Sequence, residues 1–118
     1  MVYNFTDRTF NFSKAVIFYC NHIPNTISGK NIAYQLVRSG TSVGANYRAA
    51  RRARSDREFI AKMNIVLEEA DESLFWLEII NDTKIIQSPE TTKLMKEAEE
   101  LVAISVTMLR KTNERLKR

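Results

Sequence analysis

The stretch SDREFIAKMNIVLEEADESLFWLEII, residues 55–80, decides the fold. Ser55 followed at the third position by Glu58 has the spacing of a capping box, in which a hydroxyl and a carboxylate each satisfy a free backbone N–H of a helix's first turn. From there Phe59, Met63, Val66, Ala70, Leu74 and Leu77 recur at steps of four, three, four, four and three, with Ile80 closing the stripe. Recurrence near 3.6 residues puts them on one helix face, and so regular a seam calls for neighbouring helices packed in coiled-coil fashion. Asn81-Asp82 is expected to end this helix.

Upstream, Ile32, Leu36, Val43 and Tyr47 recur at four, seven and four and predict a helix starting at Ser28 as N-cap. Gly40 and Gly44 lie one turn apart on that same side, beside Ser39 and Ala50. Each interior Gly costs about 1 kcal/mol relative to Ala, which is offset where a neighbouring helix approaches closely. Before it, Phe12, Ala15, Val16, Tyr19 and Ile23 share a face of a helix expected to follow Thr6-Asp7 and to break at Pro24-Asn25. Downstream, Ser88, Pro89 and Glu90 are N-cap, first helical residue and dipole-matched acid of a fourth helix. Its seam is Leu94, Ala98, Leu101, Ser105, Met108 and Thr112. Four helices with short loops predict an all-α, antiparallel up-down four-helix bundle, one domain over residues 1–118.

Composition narrows the function classes. Among 118 residues, 3 Gly and 2 Pro leave little turn chemistry for a many-stranded sheet. One Cys cannot form an internal disulfide, and one Cys with one His cannot make a structural zinc site. The absence of a long apolar run or a leader-like start points to a protein of the cytoplasm with no membrane span. Cys20 and His22, two positions apart, point to different sides of a helix, so a Cys–His nucleophile pair is not expected and Cys20 reads as a small buried hydrophobe. Glu68, Glu69, Asp71 and Glu72 lack the Glu-x-x-His pairs of a di-iron bundle and read as a solvated acidic face. No Gly-rich phosphate loop is present. No catalytic residue, metal or cofactor is expected, and an enzyme is disfavoured.

The charge pattern is more informative than the net charge of +4. Residues 1–57 carry nine Lys/Arg against two acids, residues 58–100 four against eleven, and residues 101–118 five against one. Two basic segments flanking an acidic one point either to an anionic partner or to basic and acidic surfaces that meet within or between protomers. Arg48, Arg51, Arg52, Arg54 and Arg57 fall within ten positions. Arginine suits bidentate phosphate contact, so the cluster is a candidate nucleic-acid site. On a helix these side chains spread over more than half the circumference, so some are expected to pair with acids such as Glu58. The tail Arg110, Lys111, Arg115, Lys117 and Arg118 is the second basic candidate. No aromatic platform is expected beside the arginines, Tyr47 being assigned to the core.

The third helix also carries more apolar residues than one core needs. Ile65, Trp76 and Ile79 fall within about 60° of one another, nearly opposite the stripe centred on Ala70. A Trp flanked by two Ile away from the core predicts a subunit interface.

From Leu36 to Tyr47 (LVRSGTSVGANY), on through RAARRARS to Ser55, and again at Glu58-Phe59-Ile60 and at Glu69-Ala-Asp-Glu-Ser73, the sequence resembles the bacterial four-helix bundle proteins encoded in 23S rRNA intervening sequences. The resemblance implies a ring-like homopentamer with no enzymatic activity assigned. A related bundle, the accessory protein of diversity-generating retroelements, is a basic pentameric barrel that binds nucleic acid and a reverse transcriptase. The expectation is a non-enzymatic homo-oligomer that binds structured RNA or DNA through the arginine cluster. The alternative is a scaffold that holds a protein partner and has no direct contact with nucleic acid.

Overall fold

The structure, a computed structural model, describes residues 4–118. Four helices follow one another: α1 Phe5–Cys20, α2 Ile27–Arg51, α3 Asp56–Thr83 and α4 Pro89–Leu116. No strand occurs among the described residues. At about 1.5 Å per residue, α3 and α4, each of 28 residues, run most of the molecule's 51 Å length. No helix of the described residues is long and apolar enough to cross a membrane.

The caps show where the sequence signals were sufficient. Ser55 accepts the Glu58 N–H at 3.1 Å, and Ser88 accepts that of Glu90 at 3.2 Å with Pro89 in the first turn, both as expected. The other two starts lie further upstream than predicted. Asn4, not Thr6-Asp7, caps α1 by accepting the Asp7 N–H. Thr26, not Ser28, caps α2 and accepts the Gly29 N–H at 3.0 Å. Either hydroxyl suits a cap, and the tight turn decides: a Cβ on Gly29 would stand 2.0 Å from the Pro24 carbonyl oxygen. The end of α3 lies past Asn81-Asp82, at Thr83, where Lys84 takes a left-handed conformation (φ 58°) and donates its N–H to the Ile80 carbonyl.

Direction follows from cross-helix contacts. Tyr19, late in α1, shares a buried 2.6 Å hydrogen bond with Thr91, early in α4. Arg8, early in α1, donates to Glu97 and Glu100 further along α4. Arg115 near the end of α4 pairs with Asp56 at the start of α3. α4 therefore runs antiparallel to α1 and α3, and α2 runs antiparallel to α1, since Val16 meets Gly40 while the earlier Ser13 meets the later Gly44. Their shared core is built on Val16, Leu36, Val43, Met63, Val66, Leu77, Ile80 and Leu101, all fully buried. Two predicted seam positions shift: Ser73 is buried while Leu74 is half-covered, and Leu109 is buried while Met108 turns partly outward.

The expected close approach occurs between α1 and α2. A Cβ on Gly40 would lie 2.8 Å from Val16 Cγ1, and one on Gly44 would lie 2.6 Å from Ser13 Oγ. Ser13 spans the contact, donating to the Gly40 carbonyl at 2.8 Å and accepting the Gly44 N–H at 3.2 Å. Between α2 and α3 the small pair Ser39 and Ser73, both fully buried, is joined hydroxyl to hydroxyl at 2.9 Å. Because Val16 is stiff, Gly40→Ala is expected to lower stability by about 1 kcal/mol, overpacking outweighing the gain in helix propensity. Combining it with Val16→Ala should recover much of that loss, read as favourable coupling in a urea-denaturation double-mutant cycle.

Candidate nucleic-acid interface

The link between α2 and α3 is short and held at both ends. The N–H groups of Arg52 and Ala53 return to the carbonyls of Ala49 and Ala50 at 3.1 Å, tightening the last turn of α2. Glu58 reaches back to the Arg54 backbone N–H at 3.1 Å, one position before the N-cap nitrogen that the capping box predicts. This reversal sets the end of α2 beside the start of α3, and the antiparallel order brings the end of α4 to the same place.

A cleft of about 580 Å³ opens there. Ala50, Ala53, Phe59 and Met108 supply its apolar floor, while Arg51, Arg54, Lys111 and Arg115 supply four cations around it, against Asp56 alone as an acid. Cations crowded round a low-dielectric floor focus a positive field and favour an anionic ligand. The two basic segments of the sequence, far apart along the chain, thus meet in one site.

The five arginines of the cluster divide. Arg51 and Arg54 line the cleft. Arg48 lines a separate groove between α1 and α2 with Phe10, Lys14, Ile17 and Thr41. Arg52, the C-cap of α2, and Arg57, in the first turn of α3, are exposed and outside both linings. The expected pairing with α3 acids does not occur: among the described residues none of the five guanidinium groups makes an ion pair, and Glu58 takes a backbone N–H instead.

Pairing falls on other cations. Arg38 of α2 bridges Glu69 and Glu72 of α3, and Glu72 also accepts the Trp76 indole N–H at 3.0 Å. The Arg38 hydrogen bond holds the Glu72 carboxyl below its ordinary value. The acidic run is therefore only partly the solvated face expected, since Glu69 and Glu72 fasten α3 to α2. Cys20 is buried as predicted, and burial pushes its thiol up to about 12, which keeps it protonated and unreactive.

Sequence reasoning missed two parts of the cleft. The core stripes include Phe59 and Met108, yet both only flank the core and are partly covered, Leu109 and Thr112 being buried where α4 turns Met108 outward. Phe59 opens its stripe and Met108 is the last apolar member of its own, and this nearness to the basic runs is the one signal in the sequence. The candidate interface residues Ile65, Trp76 and Ile79 are half-buried flanks rather than a fully outward face, and Trp76 and Ile79 pack against the core. Phe75, edge-on to Trp76 at 5.1 Å, is the exposed member, at 51%. The most exposed apolar side chains lie elsewhere, Phe18 on α1 at 66% and Ile27 and Tyr34 on α2 at 93% and 67%.

Asp56 and Arg115 form a two-pronged pair at the cleft, Nε to Oδ2 at 3.0 Å and Nη2 to Oδ1 at 2.9 Å. Those hydrogen bonds hold the Asp56 carboxyl below its ordinary value of about 3.9. A depressed folded-state value means that any stability from the pair is present above the ordinary pKa and fades as pH falls through the lowered one. Carboxyl-carbon NMR titration should show Asp56 titrating low, and Arg115→Ala should move it up toward the ordinary value.

Comparison with curated proteins gives no match. Among solved structures, the chain is similar to a protein of unknown function from the S23 ribosomal protein family of Bacteroides thetaiotaomicron VPI-5482. The two share 28% identity and a TM-score of 0.79 over 89% of this chain and 94% of that one. The sequence profile of the 23S rRNA-intervening sequence proteins matches residues 3–107, nearly the whole bundle. The chain therefore belongs to the 23S rRNA-intervening sequence protein family, and its four-helix architecture agrees.

Proposed function

We propose that the basic end of this bundle binds nucleic acid through its phosphates and carries out no chemistry on it. The observation that carries the reading is the meeting of Arg51 and Arg54 with Lys111 and Arg115 in one cleft, where the two cluster arginines have no ion-pair partner among the described residues. Guanidinium groups left unpaired at a protein surface are available to phosphate, whose two oxygens match their fork. We propose a cytoplasmic protein, with RNA and DNA both to be tried as ligand.

Fluorescence anisotropy with a labelled RNA hairpin, single-stranded RNA and duplex DNA across a salt series tests this. Affinity should fall linearly in log salt, each phosphate neutralised contributing about 0.7–0.9 to the slope. Arg51→Ala/Arg54→Ala/Lys111→Ala should weaken binding and lower the slope by about 2 to 3, with helicity intact. Arg48→Ala, on the other groove, should change the slope by no more than a single distant charge does. Absence of binding at low salt would overturn the reading.

The assembly we propose is a homo-oligomer, with the ring of five protomers that the family resemblance implies. The exposed Phe75 beside half-buried Trp76, with Ile79 and Ile65 on the same flank, supports a contact between copies there. Trp76→Glu should shift the mass measured by light scattering toward the 13.7 kDa monomer; an unchanged mass moves the interface off Trp76. A second reading, a scaffold for a protein partner, draws on exposed Phe10, Ile17 and Phe18 along α1. Such binding would survive salt through apolar contact.

A further inference from the structure

We propose that the end cleft takes one unpaired nucleotide, its base lying against Phe59 and Met108 and its phosphate displacing Asp56 from Arg115. The inference rests on the nucleic-acid reading above and adds to it the state of the strand that the site accepts. Contact with duplex phosphates needs exposed cations on an open surface and nothing more. Here the cations surround a cleft of about 580 Å³ with an apolar floor and an aromatic ring in it. That volume lies in the range of small-molecule sites, and a duplex, with its bases stacked inward, has no group to fill it. A splayed nucleotide has both needed parts, a flat apolar face and an attached anion.

Asp56 is the lining's own stand-in for that anion. Its two oxygens occupy the Arg115 fork at 2.9 and 3.0 Å, the arrangement in which a guanidinium holds phosphate. The Arg115 side chain is 60% exposed, so the pair is the weak surface kind that a competing anion can replace. The two side-chain hydroxyls of the lining are already engaged with backbone, Ser55 accepting from Glu58 N–H and Thr112 donating to the Met108 carbonyl. The proposed contacts are made by the base and the phosphate alone, so the cleft accepts ribose and deoxyribose alike.

The test is anisotropy, compared at one fixed salt and followed across a salt series, with a labelled blunt-ended RNA duplex, the same duplex with four unpaired 3′ adenylates, and that overhang in deoxyribose. The ribose overhang should bind about tenfold tighter than the blunt end, the worth of one stacked base, with the deoxyribose overhang within about twofold of it. Phe59→Leu, which keeps the apolar volume that packs on the core, should erase most of the overhang preference and leave the salt slope unchanged. Asp56→Asn should tighten overhang binding severalfold more than Glu114→Gln, which removes the same charge near Arg115 without freeing it. Equal binding of blunt and overhang duplexes with a normal salt slope would overturn the cleft assignment while sparing the phosphate reading. Failure of all three ligands to bind at low salt would overturn both. Asp56→Asn matching Glu114→Gln would overturn the displacement, and a strong ribose preference would overturn the assignment of the contacts to base and phosphate alone.

Discussion

The reversal between α2 and α3 is four residues long, Arg52 to Ser55, and the basic end of the molecule depends on how it is held. Ser55 closes the first turn of α3, Glu58 secures the backbone at Arg54, and the last turn of α2 tightens onto Ala49 and Ala50. With both helix ends fixed, Arg51 and Arg54 emerge on the side facing α4. A looser link would let those side chains point anywhere, and Lys111 and Arg115 would then have no fixed partners across the cleft.

The segregated charge resolves into two populations. Cations along the helices, Arg8 and Arg38, meet acids on neighbouring helices and fasten α1 to α4 and α2 to α3. Cations at the α2–α3 end meet few acids, because most acids of α3 and α4 lie away from that end, Asp56, Glu58 and Glu114 excepted. Arg115 alone among the cleft cations has a carboxylate. Of the two explanations that the charge pattern allowed, surfaces that meet accounts for Arg8 and Arg38, while the cations of the α2–α3 end are the ones on which the proposed anionic partner rests.

Close helix approach is bought with small side chains. Gly40 and Gly44 let α1 ride against α2, and Ser39 with Ser73 does the same between α2 and α3, each hydroxyl satisfied inside the contact. The glycine spacing announced this, since two interior glycines one turn apart make no sense on an exposed face. The pairing of Ser73 with Ser39 did not announce itself, because which of Ser73 and Leu74 faces inward depends on the rotation of α3 against α2. The same rotation took Trp76 and Ile79 from a predicted outer face to the flank of the core.

What the residues determined alone is local: helical periodicity, the Ser55 and Ser88 caps, a break between α1 and α2 (it falls at Asn21, ahead of the expected Pro24-Asn25), the glycine face and the two basic runs. These follow from spacing within one or two turns, where neighbours in sequence are neighbours in space. Two caps, at Asn4 and Thr26, escaped because several capping residues stood close together and the surrounding turn chose between them. The site was legible only in halves. Its cations come from segments about sixty residues apart in the chain, and their meeting depends on helix direction, helix length and where the core stops. Phe59 and Met108 carry the same apolar signal whether a third helix covers them or not. Only the packed bundle, with Leu109 and Thr112 turned inward beside Met108, left both lining a charged cleft.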